Sequence, residues 1–340
     1  MSQLFHVDID KINRTINNFG RSKILVIGDL MLDSYIRGKV NRISPEAPVP
    51  IVLVEKESFM PGGAFNVAMN IASLKGHCWV SGLIGRDAMG QQLKQVSKHQ
   101  HIHRQGILTD ENYTTIVKSR IIANSQQVVR VDREKYCSIN RKQLMWFKKN
   151  IANIIRHVDA IIVEDYGKGL VTQELLNFIK MLSRRFKKPL AVDPKIGSRL
   201  DLKGVTVVTP NLNEAKFFLG MNLDDRSNSK DYEKIGQALI RLWNVKAVLL
   251  TLGEAGMLLV RSNQKSLYIS TVAKEVFDVS GAGDTVIATF ILALSAGATY
   301  EEAAWLSNQA AGIVVGKLGT ATVSIQELKE SMITNDSQHA

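Results

Sequence analysis

Short, almost wholly apolar runs alternate along this chain with longer segments whose apolar residues recur at helical spacing. The apolar runs predict strands buried on both faces, and the helical spacing predicts helices packed against them. The predicted strands cover residues 23–27, 78–83, 160–163, 190–192, 205–208, 247–250, 257–260 and 266–269. The predicted helices cover residues 8–19, 62–74, 87–97, 141–156, 173–182, 232–243 and 301–317, with one more long helix from Ala282. This alternation predicts an α/β fold with a doubly wound, mostly parallel sheet flanked by helices.

Two stretches depart from this alternation. Residues 34–60 contain Pro45, Pro48 and Pro50, which exclude a helix, and residues 51–55 are strand-like. Residues 111–133 are also rich in β-forming side chains. We expect both stretches to form a small β lid, inserted into a single domain that spans residues 1–340.

Composition narrows the class of protein. A chain of 340 residues with 45% hydrophobic content can bury a large core. Cys78 and Cys137 lack metal-ligand spacing, which favours a reducing compartment without a structural disulfide or zinc. The N-terminus shows no signal-peptide pattern, and the longest apolar run is too short to span a bilayer. We therefore expect a soluble, cytoplasmic protein with no membrane partner.

The formal net charge of +11 permits nucleic-acid binding, but the basic residues are scattered and no aromatic stacking platform accompanies them. Anionic small-molecule substrates explain the excess equally well, so we predict no nucleic-acid partner.

Polar residues lie just beyond the predicted strand ends. They are Asp29, Asp165, Asp193, Asn211 and Thr251. The carboxyl ends of parallel strands form the edge at which open α/β sheets bind ligands. The sequence therefore predicts a binding site at this edge.

Residues 276–288 carry the strongest chemical signal. Gly281-Ala282-Gly283 predicts a tight turn at the start of a long apolar helix, where free amides and the helix dipole favour an anion. Asp284 falls in the first turn of that helix. An anion hole beside a carboxylate base suits phosphoryl transfer to a hydroxyl. The alternative is that Asp284 only complements the helix dipole and that the glycines only form a turn.

Two further glycine-rich turns are candidate binding elements. Gly62 and Gly63 open a helix whose Asn66 offers both a donor and an acceptor to a polyol, although a plain loop is the alternative. Thr251, Gly253 and Gly256 form a turn that either passes a nucleotide phosphate or is a simple hairpin. Neither a P-loop nor a G-x-G-x-x-G after the first strand is found.

In series, these motifs resemble those of the ribokinase-like (PfkB) sugar kinases. They are Gly62-Gly63-x-x-Asn66, Asn211-Leu212-Asn213-Glu214, Thr251-x-Gly253-x-x-Gly256 and Asp278-Val-Ser-Gly-Ala-Gly-Asp284. The likeness spans residues 23–325 in the family's order, and four motifs in order are far more specific than one. It implies a ribokinase-like fold with ATP and Mg²⁺ as cofactors, and it allows a monovalent cation such as K⁺.

Residues 28–33, 42–50 and 61–72 more narrowly resemble the heptose-phosphate kinases of lipopolysaccharide core synthesis, a branch of this family. That resemblance implies ATP-dependent phosphorylation of O1 of D-glycero-β-D-manno-heptose 7-phosphate to the 1,7-bisphosphate. Because no nucleotidyltransferase-like H-x-G-H segment is found, we expect the stand-alone kinase form, with a separate adenylyltransferase as its partner enzyme.

By position, the resemblance also assigns roles to residues. Asp284 is the implied catalytic base, with Gly281, Ala282 and Gly283 as its anion hole. The implied sugar-binding residues are Asp33, Gly62, Gly63 and Asn66. The implied nucleotide-binding residues are Asn211, Leu212, Asn213, Glu214, Thr251, Gly253, Gly256 and Asn308, with Glu214 acting on Mg²⁺ through water.

The phosphate of such a substrate needs a cationic clamp. Lys168 and Lys195 are the leading candidates, and the lid segments offer Arg42, Lys118, Arg120 and Arg130. In this family the lid often doubles as a dimer interface, so a homodimer is implied. The alternatives are a kinase for another sugar or sugar phosphate and a non-catalytic sugar or nucleic-acid binder.

Overall fold

The computed structural model describes residues 7–124, 126–222, 229–273 and 275–336. Its larger sheet has nine strands. They are β1 (Lys23–Gly28), β4 (His77–Gly85), β5 (Ile102–Asp110), β8 (Ala160–Glu164), β9 (Leu190–Asp193), β10 (Val207–Val208), β11 (Ala247–Thr251), β12 (Met257–Arg261) and β13 (Leu267–Ile269). Their order is β13-β12-β11-β10-β9-β8-β1-β4-β5. All neighbours pair in parallel except β11 with β12 and β12 with β13, which are antiparallel.

Helices cover both faces of this sheet. They are α1 (Ile9–Asn18), α2 (Ala64–Ser73), α3 (Ala88–Val96), α4 (Arg141–Ile154), α5 (Gln173–Arg185), α6 (Leu212–Phe218), α7 (Ser229–Trp243), α8 (Ala282–Ser295), α9 (Tyr300–Val314) and α10 (Ile325–Asp336). Within the described residues, no helix combines the length and the apolar character needed to cross a membrane.

Strand β1 shows why the central strands are apolar at every position. Ile24 and Val26 pack into the cluster under α2, α8 and α9, whereas Leu25 and Ile27 pack into the cluster under α4, α5 and α7. A strand with two buried faces cannot alternate between apolar and polar residues. The predicted α/β, doubly wound, mostly parallel sheet flanked by helices is therefore confirmed.

The lid is a second, four-stranded sheet. Its strands are β2 (Leu30–Ile43), β3 (Pro50–Gly63), β6 (Ile116–Ala123) and β7 (Gln126–Arg133), in the order β3-β2-β6-β7. The outer pairs are antiparallel, but β2 and β6 are parallel. Both stretches predicted as excursions contribute to it, and only Asp29 separates β1 from β2. The lid therefore grows directly out of the carboxyl edge of the main sheet.

Some elements differ from the sequence prediction. Gly62 and Gly63 end strand β3, and the helix begins only at Ala64. Strand β5 and helices α6 and α10 were not predicted. Strand β5 lies at the sheet edge, where polar side chains weaken its apolar pattern, and α6 is too short to show a period. Helix α9 also ends three residues before the predicted Lys317, because Gly316 and Gly319 follow it closely.

Candidate active site

The N-terminus of helix α8 lies at the carboxyl edge of the main sheet. Gly281 caps it in the left-handed conformation with φ 79°, and a Cβ there would come within 2.4 Å of Asn66 Nδ2. Only glycine fits this position without strain. Ala282 and Gly283 open the helix, and the side of Gly283 where a Cβ would point faces open space. The Ala282 amide donates to the Val279 carbonyl at 3.2 Å.

Asp284, in the first turn of α8, is held by two donors from other elements. Tyr166 Oη donates to Asp284 Oδ1 at 2.7 Å, and Asn66 Nδ2 donates to Asp284 Oδ2 at 2.7 Å. Asn70 Nδ2 donates to the Asn66 carbonyl at 3.0 Å, and Thr285 Oγ1 donates to Asn70 Oδ1 at 3.0 Å. This network joins α2 to α8, and with the bond from Tyr166 it holds both oxygens of the Asp284 carboxylate.

Burial changes the acidity of this carboxyl. Asp284 is only 4% exposed, and burial raises its pKa to about 6, while the hydrogen bonds from Tyr166 and Asn66 limit the rise. The carboxylate is therefore ionised at neutral pH, yet it is a stronger base than an ordinary aspartate. Both properties suit a group that takes a proton from a hydroxyl.

The predicted sugar-binding residues lie close to Asp284. Asp33, on β2, adds to the raised pKa of Asp284 and forms an ion pair with Arg120 on β6. Gly62 lies opposite, and a Cβ there would come within 2.4 Å of Asp33 Oδ2. Gly62 therefore leaves the space that the Asp33 carboxylate occupies. Gly63 then caps α2, which carries Asn66.

Tyr166 lies in the loop after β8, and sequence reasoning missed it. Asp29 anchors this loop, because its carboxylate accepts the amides of Tyr166 and Lys168 at 3.1 Å and of Leu170 at 3.4 Å. The prediction had singled out Asp29 and Asp165 as strand-end carboxylates. The available signal for Tyr166 was its place directly after that strand end.

The Asn-x-x-Glu motif forms a capping box at the start of α6. Asn211 Oδ1 accepts the Glu214 amide at 2.9 Å, and Glu214 Oε2 accepts the Asn211 amide at 2.9 Å. Leu212 and Asn213 fill the first turn between them. Lys195 Nζ lies 3.2 Å from Glu214 Oε1. This lysine therefore contacts the predicted nucleotide side of the site.

The other predicted nucleotide-binding residues continue along this edge. Thr251 ends β11 and forms a bridge with Asn211. Gly253 and Gly256 lie in the turn to β12, with open space at Gly253 and the Ile269 carbonyl close to Gly256. Asn308 is buried on α9, and its Nδ2 donates to the Ser270 carbonyl at 2.8 Å. The structure thus shows a structural bond for Asn308, and its contact with adenine stays a prediction.

Two acids lie side by side beneath α8. Glu164 and Asp193 are register partners on adjacent parallel strands; Glu164 is buried, Asp193 is half-buried, and both lie near other acidic groups. Burial raises the pKa of Asp193 to about 8 and that of Glu164 well above its usual range. Neither carboxyl oxygen of Glu164 has a hydrogen-bond partner among the described residues. A cation near this edge would favour the ionised forms of both carboxyls.

That donor set fits a hard divalent ion. Mg²⁺ prefers oxygen ligands, keeps several waters and commonly takes one or two carboxylates together with substrate phosphates. Glu214 and Asp193 would supply such oxygens. Within the described residues, however, no group of three or more His, Cys, Asp or Glu side chains forms a complete metal cage.

Of the residues predicted to clamp the sugar phosphate, three lysines lie near the site, whereas two arginines lie on exposed parts of the lid. Lys168 Nζ pairs with Glu134 at 2.6 Å, and Lys118 lies across from Asp33 in the lid register. Lys118 and Lys195 each place Nζ over the Tyr166 ring, at 5.5 and 5.6 Å from its centroid. Arg42 and Arg130 lie on exposed parts of the lid.

Comparison with known proteins identifies relatives across nearly the whole chain. The profile described as pfkB family carbohydrate kinase matches residues 21–327. The bifunctional protein HldE of Haemophilus influenzae is 42% identical over 316 residues, covering 92% of this chain. This chain spans only 64% of the length of that relative.

Two solved structures show the same fold. Arabidopsis thaliana ribokinase, complexed with ribose and ATP, has a TM-score of 0.68 at 19% identity and covers 92% of this chain and 97% of its own. Escherichia coli phosphofructokinase-2, in complex with potassium, has a TM-score of 0.75 at 18% identity and covers 93% and 99%. At such low identity these likenesses establish the fold alone.

The unpartnered Glu164 predicts a pH-dependent stability. In the folded protein, Glu164 keeps its proton at pH values above its ordinary pKa of 4.5. The unfolded chain binds fewer protons in that pH range, so the free energy of unfolding falls as pH rises. Glu164→Gln removes this penalty. Relative to the wild type, its free energy of unfolding should rise by about 1.4 kcal/mol per pH unit until the folded pKa is reached.

Urea unfolding of both proteins between pH 5 and pH 8 measures this difference. Glu46→Gln, at an exposed position of the lid, is the matched control and should show a flat difference. A flat difference for Glu164→Gln as well would contradict a strongly raised pKa.

Proposed function

The chain belongs to the pfkB family of carbohydrate kinases, and we propose that it transfers the terminal phosphoryl group of ATP to O1 of D-glycero-β-D-manno-heptose 7-phosphate. The product would be the 1,7-bisphosphate, in the cytoplasmic route to ADP-heptose and the lipopolysaccharide inner core. Two findings support this choice among sugars. Residues 28–33, 42–50 and 61–72 resemble heptose-phosphate kinases, and the HldE relative is 42% identical over 316 residues.

One observation carries the chemistry: a buried, ionised Asp284 lies in the first turn of a helix beside the sugar-side residues. In the proposed step, the O1 hydroxyl gives its proton to Asp284 while its oxygen attacks the γ-phosphorus of ATP. The bond from that phosphorus to the bridging oxygen breaks, and ADP leaves with the electron pair. The Gly281 and Gly283 amides at the α8 N-terminus would stabilise the charge on the transferred group, whereas the Ala282 amide already donates to the Val279 carbonyl.

The carboxylates along the sheet edge support the use of Mg²⁺ with ATP. Mg²⁺ would neutralise the charge of the ATP phosphates, with Glu214 acting through water and Asp193 close by. Lys195, which contacts Glu214, then lies on the nucleotide side rather than on the sugar-phosphate side. A requirement for a monovalent cation such as K⁺ stays a prediction.

For the sugar phosphate we propose Lys118 and Lys168 as the clamp. Lys118 is half-buried, and within the described residues it forms no hydrogen bond or ion pair. Burial and the positive charge of Lys168 both lower its pKa. Two neighbouring ammonium groups on the sugar side of Tyr166 would accept a dianion. Lys168 would then exchange Glu134 for the phosphate.

We also propose that a second copy of the chain covers the outer face of the lid. Exposed apolar side chains are concentrated on the lid strands, namely Ile43, Leu53, Val54, Val128, Val129 and Val131, and Val129 and Val131 share one face of β7. Exposed apolar patches of this kind mark association surfaces. The lid strands would then be supported from both sides while they cover the sugar.

Asp284→Asn keeps the size of the side chain but removes the base. With ATP and heptose 7-phosphate, we expect kcat to fall by about 10²- to 10⁴-fold. Asp10→Asn, at an exposed position of α1, is the control and should retain full activity. Unchanged phosphorylation by Asp284→Asn would reject general-base catalysis, and transfer only to unphosphorylated sugars in a substrate panel would reject the heptose-phosphate assignment.

Lys118→Met should raise KM for heptose 7-phosphate by about 10- to 100-fold, because a charge-assisted bond to the phosphate is lost. Its effect on kcat and on KM for ATP should be much smaller. Lys39→Met, on the same sheet but 62% exposed, serves as the control. Steady-state kinetics measure both KM values. An unchanged KM for the sugar phosphate would show that Lys118 does not bind its phosphate.

Sedimentation velocity tests the dimer. The wild type should sediment as a dimer at micromolar concentration, and Val131→Asp should shift it toward the monomer because a charge would enter an apolar interface. Met145→Asp, at an exposed apolar position on α4, should leave the dimer intact. A monomeric wild type would rule out this association.

A further inference from the structure

The loop that carries Tyr166 is held by hydrogen bonds from several directions. Its amides converge on the single carboxylate of Asp29, and the Gly167 amide donates to Asp165 Oδ1 at 2.9 Å. On its other side, the Cys137 amide donates to the Lys168 carbonyl at 3.2 Å. A loop held from several directions presents its tyrosine in one orientation.

The ring of Tyr166 is also contacted by ammonium groups from two different elements. The ammonium of Lys118 comes from the lid, and that of Lys195 comes from the loop after β9. A cation above an aromatic face is attracted to it. Since Lys195 is in turn held by Glu214, the ring connects the lid to the predicted nucleotide side.

The hydroxyl of Tyr166 contributes one of the two donors that bind Asp284. A carboxylate oxygen can accept more than one hydrogen bond, so the bonds from Tyr166 and Asn66 leave acceptor capacity on both oxygens. What the two bonds remove is rotation of the carboxylate about its Cβ–Cγ bond. The remaining lone pairs therefore point in fixed directions.

We propose that Tyr166 is a positioning residue: its hydroxyl fixes the orientation of the Asp284 carboxylate toward the acceptor hydroxyl and keeps that carboxylate anionic. This inference rests on the proposed function, in which Asp284 is the base. Asn66 alone would leave the carboxylate free to turn. The phenol stays protonated throughout and transfers no proton, since burial raises its pKa well above the ordinary value.

Several other groups act on the same carboxylate. The titratable and charged side chains that face Asp284 are Tyr166 and Glu164 from β8 and its loop, Asp193 and Lys195 from β9 and its loop, and Asp33 from β2. Substituting the hydroxyl of Tyr166 alone leaves the other four in place. A change in the acidity of the base can then be assigned to the lost bond.

Tyr166→Phe removes the hydroxyl and keeps the ring that both lysines contact. A hydrogen bond to the ionised form lowers the pKa of an acid, so its loss should raise the pKa of Asp284. The acid limb of the kcat/KM profile should move up by roughly one pH unit. On the plateau, kcat should fall by about 10- to 100-fold through lost orientation, with KM for ATP little changed.

Site-specific incorporation of 3,5-difluorotyrosine at position 166 is the second variant. Its more acidic hydroxyl is a stronger donor, so the acid limb should move to lower pH, opposite to the effect of Tyr166→Phe. Simple loss of packing cannot produce shifts of opposite sign. Tyr300→Phe, on α9 against Arg261, is the control and should leave the profile unchanged.

Thermal unfolding of each variant shows whether it is folded. If both variants keep the wild-type acid limb and plateau, the positioning role is wrong. Asp284→Asn separates this failure from failure of the proposed function. An inactive Asp284→Asn with unchanged Tyr166 variants rejects only the positioning role, whereas an active Asp284→Asn rejects the base on which both proposals rest.

Discussion

The arrangement of the site depends on one buried carboxylate that is held by donors distant in sequence. Asp284 accepts hydrogen bonds from Asn66 on α2 and from Tyr166 in the loop after β8. Burial without these bonds would favour the neutral acid, which cannot take a proton. The packing of α2 against α8 and the anchoring of the loop by Asp29 therefore serve the same end. They keep a charge in a place where water is largely excluded.

The same edge of the sheet gathers acidic side chains, and burial and their mutual proximity raise the pKa of Glu164 and Asp193. Glu164, Asp193 and Glu214 lie near Asp284, with Lys195 as the cation in contact with Glu214. A divalent ion bound with ATP at this edge would favour the ionised forms of these carboxyls. The predicted sugar side carries more basic side chains, with Lys118 and Arg120 beside Asp33 and Lys168 close to Lys118. Acidic side chains therefore predominate on the predicted nucleotide side of the site, and basic side chains predominate on the predicted sugar side.

The Asn-x-x-Glu motif shows that a structural and a functional interpretation can both apply to the same residues. Asn211 and Glu214 form a capping box, which alone explains their spacing. The box also turns the Glu214 carboxylate toward Lys195 and the carboxyl edge of the sheet. Gly62 behaves in the same way, because it ends a strand and leaves the space for Asp33. In both cases the local backbone structure sets the direction of a candidate functional carboxylate, that of Glu214 or of Asp33.

The amino-acid sequence alone determined the fold class, the two lid segments and the glycine turn before Asp284. These follow from short-range patterns: apolar runs, proline positions and small residues at helix starts. Strand β5 and helices α6 and α10 lacked such a pattern, and only packing revealed them. Tyr166, the pairing of Glu164 with Asp193 and the contact of Lys195 with Glu214 were likewise decided by the tertiary structure. The reason is physical, because each joins side chains from different strands or loops, and strand order is set by the burial of whole elements rather than by any local signal.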